Sequence, residues 1–397
     1  MFEADVAIVG AGAAGLSLAH RLSRPDPGSR GVSVLLVDVP PGPLRPPART
    51  WCFWEQDRGP YDAALTASWQ TLRVRPPRGP AIVGDIAPLR YKMIRSEDFE
   101  SLVSRDLARS EYVRRVEATA ESVEGVTDGA LVHTRTADGR PLTMRARWVF
   151  DSRPLGSLPA ARTTLLQHFH GWFIRSDRPL FDPDTVELMD FRTPQPAHGL
   201  SFGYLLPVDR KQALVEYTEF SSTVLTRQAY EAALRHYTTD VLGLRDLEIV
   251  ATETGVIPMT DARFARETAP SVFRIGAAGG ATRPSTGYTF AAAQRQTRAI
   301  AQALGEGLRP LPPAAHSARS RAMDAVMLRA LDSGRVDGAA FFSRLFSQVP
   351  MERLLRFLDG RTHLCEDIAV GVRTPVLPML RSAAELPYLP RRPFPRP

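Results

Sequence analysis

Residues 4–9, "ADVAIV", run directly into "GAGAAG" (10–15) and then into "LSLAHRLS" (16–23). The apolar run reads as a short buried strand and the glycine cluster as a tight turn. The last stretch reads as a helix, because its apolar residues recur at helical spacing. In such a turn Gly10 permits the sharp bend, Gly12 lets backbone approach an anion and Gly15 lets the helix pack close against the strand. The helix start then offers unpaired N–H groups to a pyrophosphate. "VSVLLVD" (32–38) reads as a second buried strand, and its last residue, Asp38, can accept hydrogen bonds from two ribose hydroxyls. Strand, turn, helix, strand and acid in that order predict an α/β fold that binds a dinucleotide.

A distant stretch has the form of a second glycine segment returning to the same site. In "FRIGAAGGATRPSTGYTFAAA" (273–293) a short strand leads into Gly276, Gly279 and Gly280, then Pro284, Gly287 and a helix. Backbone N–H groups at that helix start can face a flavin ring. No second GxGxxG occurs, so a separate dock for a nicotinamide is not expected, and FAD is the expected cofactor.

The 397 residues are 44% hydrophobic and 23% charged, which is ordinary for a folded chain and excludes disorder. Cys52 and Cys365 are too few and too far apart for a disulfide framework or a zinc site, so a reducing compartment is expected. Glu3 and Asp5 stand where a secretory leader carries positive charge. The formal net charge is +7, yet the arginines are scattered among acids without interleaved aromatics, so no nucleic acid is expected as a partner. No stretch approaches the roughly 18 apolar residues of a spanning helix.

Farther along, "VPPGPLRPP" (39–47) has five prolines and reads as a loop. Segments 71–75, 130–135, 142–150, 163–175, 185–192, 200–206 and 213–220 carry β-branched or aromatic residues at near-alternating positions and predict a mixed sheet. From 290, and over most of 317–370, the spacing turns helical. "LPYLPRRPFPRP" reads as a loose, basic, proline-rich tail.

Beyond these signals the sequence resembles the bacterial FAD-dependent lycopene β-cyclases. The resemblance lies in ordered blocks: "VAIVGAGAAGLSLAHRL", "ARTWCFWEQD" (48–57), "YKMIRSEDFE" (91–100), "VFDSRP" (149–154), "QHFHGWFI" (167–174), "ELMDFR" (187–192), "FGYLLPVDRKQALVEYTEFS" (202–221), "GVIPMTD" (255–261) and "RPSTGYTF" (283–290). It implies a Rossmann-like FAD/NAD(P)-binding domain of the glutathione-reductase type, from 1–160 and 250–310. A β-rich substrate domain (161–249), a helical region (311–380) and the tail (381–397) complete the implied plan. It further implies lycopene or a related acyclic carotenoid as substrate, FAD in its reduced form, NAD(P)H as external reductant, and a peripheral position on the cytoplasmic face of the membrane. Arg95 sits at a helix start where related flavoproteins contact FAD. The chain departs from the family in two places: Ala277 follows Gly276 where many flavoproteins have an acid, and Tyr217 follows Glu216 where the family has a second acid.

"LVEYTEF" (214–220) places Glu216 inside an apolar run. On an alternating strand Leu214, Glu216, Thr218 and Phe220 share one face, and Val215, Tyr217 and Glu219 the other. Burial without a cation disfavours a carboxylate and makes Glu216 a candidate general acid. Asp190 or Glu219 are candidate helpers, Asp190 by its place in the resemblance, with Glu219 the better candidate for a solvated role. Trp51, Phe53, Trp54, Phe169, Trp172 and Tyr288 are candidate pocket aromatics able to stabilise a cation. His168 and His170 alternate on a strand with no third ligand at a sensible spacing, so no metal is expected. In 341–358, Phe341, Phe342, Leu345, Phe346, Leu354, Leu355 and Leu358 lie on apolar helical faces, which fits either a membrane-surface helix or helices covering the sheet.

Overall fold

Val6, Ala7, Ile8 and Val9 are all at most 1% exposed, a continuous apolar run that only a strand covered on both faces can bury. A computed structural model, which describes residues 2–394, places them in the strand Phe2–Val9, flanked by Val34–Asp38 and Pro141–Asp151 in parallel. Val113–Glu117 and Val272–Arg274 extend the parallel core on either side. Helices Ala13–Leu22, Ser96–Leu107 and Phe290–Gly305 cover one face. The other is covered by an antiparallel meander, Thr119–Val126, Gly129–Arg135 and Pro141–Asp151.

The strands 130–135 and 142–150 therefore belong to this first sheet and not to the mixed sheet in which they were expected. Alternation identifies a strand but not its partner. The second, mixed sheet has seven strands in the order Glu248–Thr260, Thr164–Arg175, Gln212–Ser221, Leu200–Pro207, Thr185–Asp190, Thr71–Arg75 and Ile82–Asp85. It thus draws on chain outside 161–249. A third sheet joins Thr50–Glu55, Arg90–Arg95 and Leu65–Trp69.

The two faces of the seven-stranded sheet meet different cover. On the inner face, Leu214, Phe220, Phe173 and Phe202 share a core with Trp54, Tyr91 and Met93 of the three-stranded sheet. On the outer face, Trp172, Val215 and Tyr217 pack under Tyr230, Leu234 and Tyr237, from the helix Arg227–His236 and the turn that follows it. Phe341, Phe342, Leu345, Phe346, Leu354 and Leu355 are buried in the inner core, so the helices Gly338–Gln348 and Met351–Leu358 cover the sheet and do not present a membrane surface. The described part of the tail is tied down as well, and residues 395–397 lie outside the described residues. Its start lies in the helix Val376–Glu385, Arg392 bridges Ala161, and Arg391 pairs with Asp261 at 3.4 Å.

Candidate active site

The two glycine segments meet at the start of the first helix. Gly15 must be glycine, since a Cβ there would lie 1.9 Å from the carbonyl oxygen of Gly10. Gly12 has open space around the same position, and the helix it opens has neither a side-chain cap nor an acid in its first turn. A Cβ on Gly276 would come within 2.8 Å of that of Ala14, which brings the second segment onto the same helix start. Uncapped N–H groups, open backbone at Gly12 and the neighbouring second segment fit a pyrophosphate. Asp38 closes the second strand and is 7% exposed, with Oδ2 accepting from Arg115 Nη2 at 2.6 Å. Pro284 lies in a turn closed by Gly287 N–H donating to the Arg283 carbonyl at 2.9 Å. That turn sets Gly287 against Gln167 of the seven-stranded sheet and carries Tyr288 toward the inner face.

Register builds the rest of the site. Tyr204, Glu216, Gly171 and Glu253 stand side by side on four adjacent strands, all on the inner face. A Cβ on Gly171 would lie 2.8 Å from Glu216 Cγ and 3.1 Å from Oε1, so the bare backbone is the floor on which the glutamate rests. Facing this row are Thr50, Cys52 and Trp54, and beside them Arg95, Met93 and Tyr91, which share a face of the three-stranded sheet. Tyr288 caps the gap. Its hydroxyl meets those of Tyr91 at 2.9 Å and Tyr204 at 3.4 Å, and its ring stands edge-on to Trp54 at 4.6 Å. Protein surrounds Glu216, Tyr204, Tyr288 and Cys52, and each keeps only a small accessible surface.

The electrostatics follow from this enclosure. No hydrogen-bond donor or cation among the described residues reaches the Glu216 carboxyl within bonding distance. Burial, reinforced by the nearby Glu253 carboxylate, pushes its pKa up to about 8. Burial also lifts the phenol of Tyr288 to about 12 and the Cys52 thiol farther, so both stay neutral. Glu216 is protonated near neutral pH, enclosed by aromatic rings and phenols.

Several expected residues fall elsewhere. Asp190 is on the outer face and fully buried, its carboxylate bonded by Arg192 at 2.6 and 2.9 Å and by Tyr237 at 3.2 Å. It is a fixed ion-pair member, removed from Glu216 by the thickness of the sheet. Glu219 is not solvated but 6% exposed on that same face, accepting from Tyr217 at 3.2 Å. Trp172 is also outer, with the Arg235 guanidinium 5.8 Å from its ring centre. Trp51 and Phe53 alternate away from Cys52 and Trp54, and pack on Phe290 at 5.6 and 4.6 Å. The Arg95 guanidinium lies over the Phe173 ring at 4.7 Å and pairs with Glu97 at 3.0 Å, against the seven-stranded sheet. Phe169 stays on the inner face, its ring filling the space above Gly255. His168 and His170 bond Tyr230 and Thr254, each at 2.6 Å, on the outer face, and no metal cluster occurs among the described residues.

Comparison with known proteins gives the family and the fold. The family model described as lycopene cyclase protein matches residues 5–384. The chain belongs to the lycopene cyclase family. Neoxanthin synthase of Solanum lycopersicum is 27% identical over 328 residues, and that of Solanum tuberosum 26%; each alignment covers 77% of this chain and 61% of the relative. The chain thus spans about three fifths of the length of the curated relatives it matches. Among solved structures, a geranylgeranyl bacteriochlorophyll reductase-like protein from Thermoplasma acidophilum superposes with a TM-score of 0.64 at 14% identity, covering 97% of both chains. A p-nitrophenol 4-monooxygenase from Pseudomonas putida gives 0.60 at 15%, covering 99% of this chain and 100% of that one. The flavin-dependent monooxygenase PieE, solved with FAD and substrate, gives 0.58 at 18%, covering 97% and 72%. These likenesses show the fold.

The inner-face residues around Glu216 that sequence reasoning missed are Glu253, Gly171, Tyr204, Tyr91 and Thr50. None carries a local signal. Glu253 stands in "VATETGV", which reads as an ordinary polar strand, and only the pairing of Gly171 with both Glu216 and Glu253 brings the carboxylates together.

Proposed function

We propose that the chain is an FAD-dependent lycopene β-cyclase in which Glu216 is the general acid. The observation that carries this reading is a carboxyl without cation or donor on the apolar inner face of the sheet, its pKa pushed up to about 8. Glu216 would give its proton to C2 of a terminal double bond, leaving a tertiary cation at C1. The C5–C6 double bond then attacks C1 to close the ring and leaves the cation at C5; transfer of the C6 proton to a base, for which the Glu216 carboxylate left by the first step is available, gives the β-ring with no net oxidation. The helix start at Gly12, Asp38 and the second glycine segment would hold reduced FAD, which external NAD(P)H would keep reduced and which would supply negative charge to stabilise the cation. The rings of Trp54, Phe169 and Tyr288 add π-rich surface and exclude the water that would trap the cation as an alcohol.

A substrate without polar groups has to arrive from lipid, so we place the protein on the cytoplasmic surface of a membrane. The helices Leu364–Gly371 and Val376–Glu385 support this position. Leu364, Ile368, Val372, Val376, Leu377 and Leu380 are all about half exposed or more, whereas Glu366, Asp367 and Glu385 in the same helices are engaged by arginines. Exposed Arg361, Arg373 and Arg381 have no ion pair among the described residues, which suits an anionic bilayer. The segment just before these helices reaches the site, since Leu358 and Asp359 line a narrow cleft with Trp54 and Tyr288.

Expression in a lycopene-accumulating bacterium tests the reading. The pigment should turn to cyclised carotene, and Glu216→Gln should keep FAD yet leave lycopene unchanged. Cyclisation by Glu216→Gln would remove the residue from its role. Under anaerobic conditions, reductant consumed in step with product would instead indicate a reductase of the same fold.

A further inference from the structure

The site holds two carboxylates but treats them unequally. Glu253 and Glu216 flank Gly171 on the same face, one strand to either side. Glu253 receives two donors from one residue of the facing sheet: Thr50 N–H reaches Oε1 at 2.8 Å, and the Thr50 hydroxyl reaches Oε2 at 2.6 Å. Glu216 receives none.

The asymmetry decides where the proton sits. A carboxylate with both oxygens accepting hydrogen bonds is favoured in its charged form, and its protonated form must give one of those acceptors up. A carboxyl with no donors in the same enclosure is favoured neutral. Two carboxyls one glycine apart do not ionise together as readily as either would alone, so the pair holds one negative charge and one proton, and the donors assign them. We propose that Glu253 is the positioning carboxylate of the site: fixed in its ionised form by Thr50, it keeps the transferable proton on Glu216. The proposal rests on the reading of Glu216 as the acid.

Burial raises Glu253 too, but Thr50 and the Arg95 and Arg49 guanidiniums oppose it, and Glu216 has no such partners. The other titratable groups facing Glu216 are Tyr204 from its own sheet, Cys52 and Tyr91 from the three-stranded sheet and Tyr288 from the second glycine segment. Burial raises all four, so all are neutral across the pH range in which Glu216 titrates. Glu253 is the one anion of that set. Arg95 and Arg49 are its cations.

Two measurements test this on the FAD-loaded protein. In the infrared difference between wild type and Glu216→Gln at pH 7, the substitution should remove a protonated-carboxyl band. If the band persists, the proton resides elsewhere and the proposal is overturned, whether or not the protein cyclises lycopene. In the pH profile of kcat, Glu253→Gln should move the alkaline limb about one pH unit toward acid while the acid plateau is kept, as expected for losing one like charge at cross-sheet distance. Glu253→Asp, which keeps the charge, should restore the limb. A folded Glu253→Gln enzyme with the limb unmoved, or with activity lowered equally at every pH, overturns the proposal. If that variant does not hold FAD, the infrared band decides alone.

Discussion

At the scale of the residue, a single side chain departs from the pattern around it. Glu216 stands where its strand asks for an apolar residue, and the conflict was visible in the sequence because alternation sets its face. Its raised pKa has a consequence for stability as well as for chemistry. In the folded chain the carboxyl holds its proton up to about pH 8, whereas unfolded it releases it near 4.5. Between these values the native state binds the extra proton, so this group makes stability fall as pH rises, by up to a contribution on the order of 5 kcal/mol. Glu216→Gln removes the penalty. Its melting temperature should match wild type at pH 4 and exceed it at pH 8, read by thermal unfolding at both; an equal offset at the two values would show that Glu216 is not buried neutral. Asp190 illustrates the opposite case. Glu187 and Asp190 pair with Leu205 and Gly203, three steps on one strand against two on the other, and this bulge turns Asp190 to the face that alternation denies it.

At the scale of the element, strands were legible and their partners were not. Each strand expected in the middle of the chain exists, but hydrogen-bond partners are chosen by long-range packing, so two of them joined the first sheet. The βαβ unit was readable because glycine turn, helix and acid follow in sequence. The row of Tyr204, Glu216, Gly171 and Glu253 was not, since its members come from four separated strands. Gly171 is the most sensitive point of that row. In Gly171→Ala the new methyl would lie 2.8 Å from Glu216 Cγ, so the glutamate must move. We expect at least a tenfold loss of kcat with FAD retained, and a stability loss of about 1–2 kcal/mol, measured by steady-state assay and denaturant unfolding. Unchanged kcat would mean that the acid does not act from this place.

At the scale of the whole molecule, the chain separates the work between its sheets. The parallel sheet presents the glycine turns, the seven-stranded sheet presents the acid, and the small sheet closes the space between them. The C-terminal helices were readable as helices, but their apolar residues divide into buried and exposed sets that spacing alone does not separate. The exposed set gives a whole-protein prediction. The protein should sediment with vesicles containing anionic lipid, and replacing Ile368 and Leu377 with serine should reduce the bound fraction several-fold without changing the melting temperature. Equal sedimentation of the double variant would assign membrane contact to another surface.

The two bonds from Thr50 to Glu253 cross from one wall of the chamber to the other. They therefore act as a latch as well as a charge clamp. Any breathing that spreads the walls to admit a bulky guest must undo both bonds first, leaving Glu253 free to compete for the proton. If Glu216 is the acid, one threonine would couple its acid strength to the contact between the two sheets.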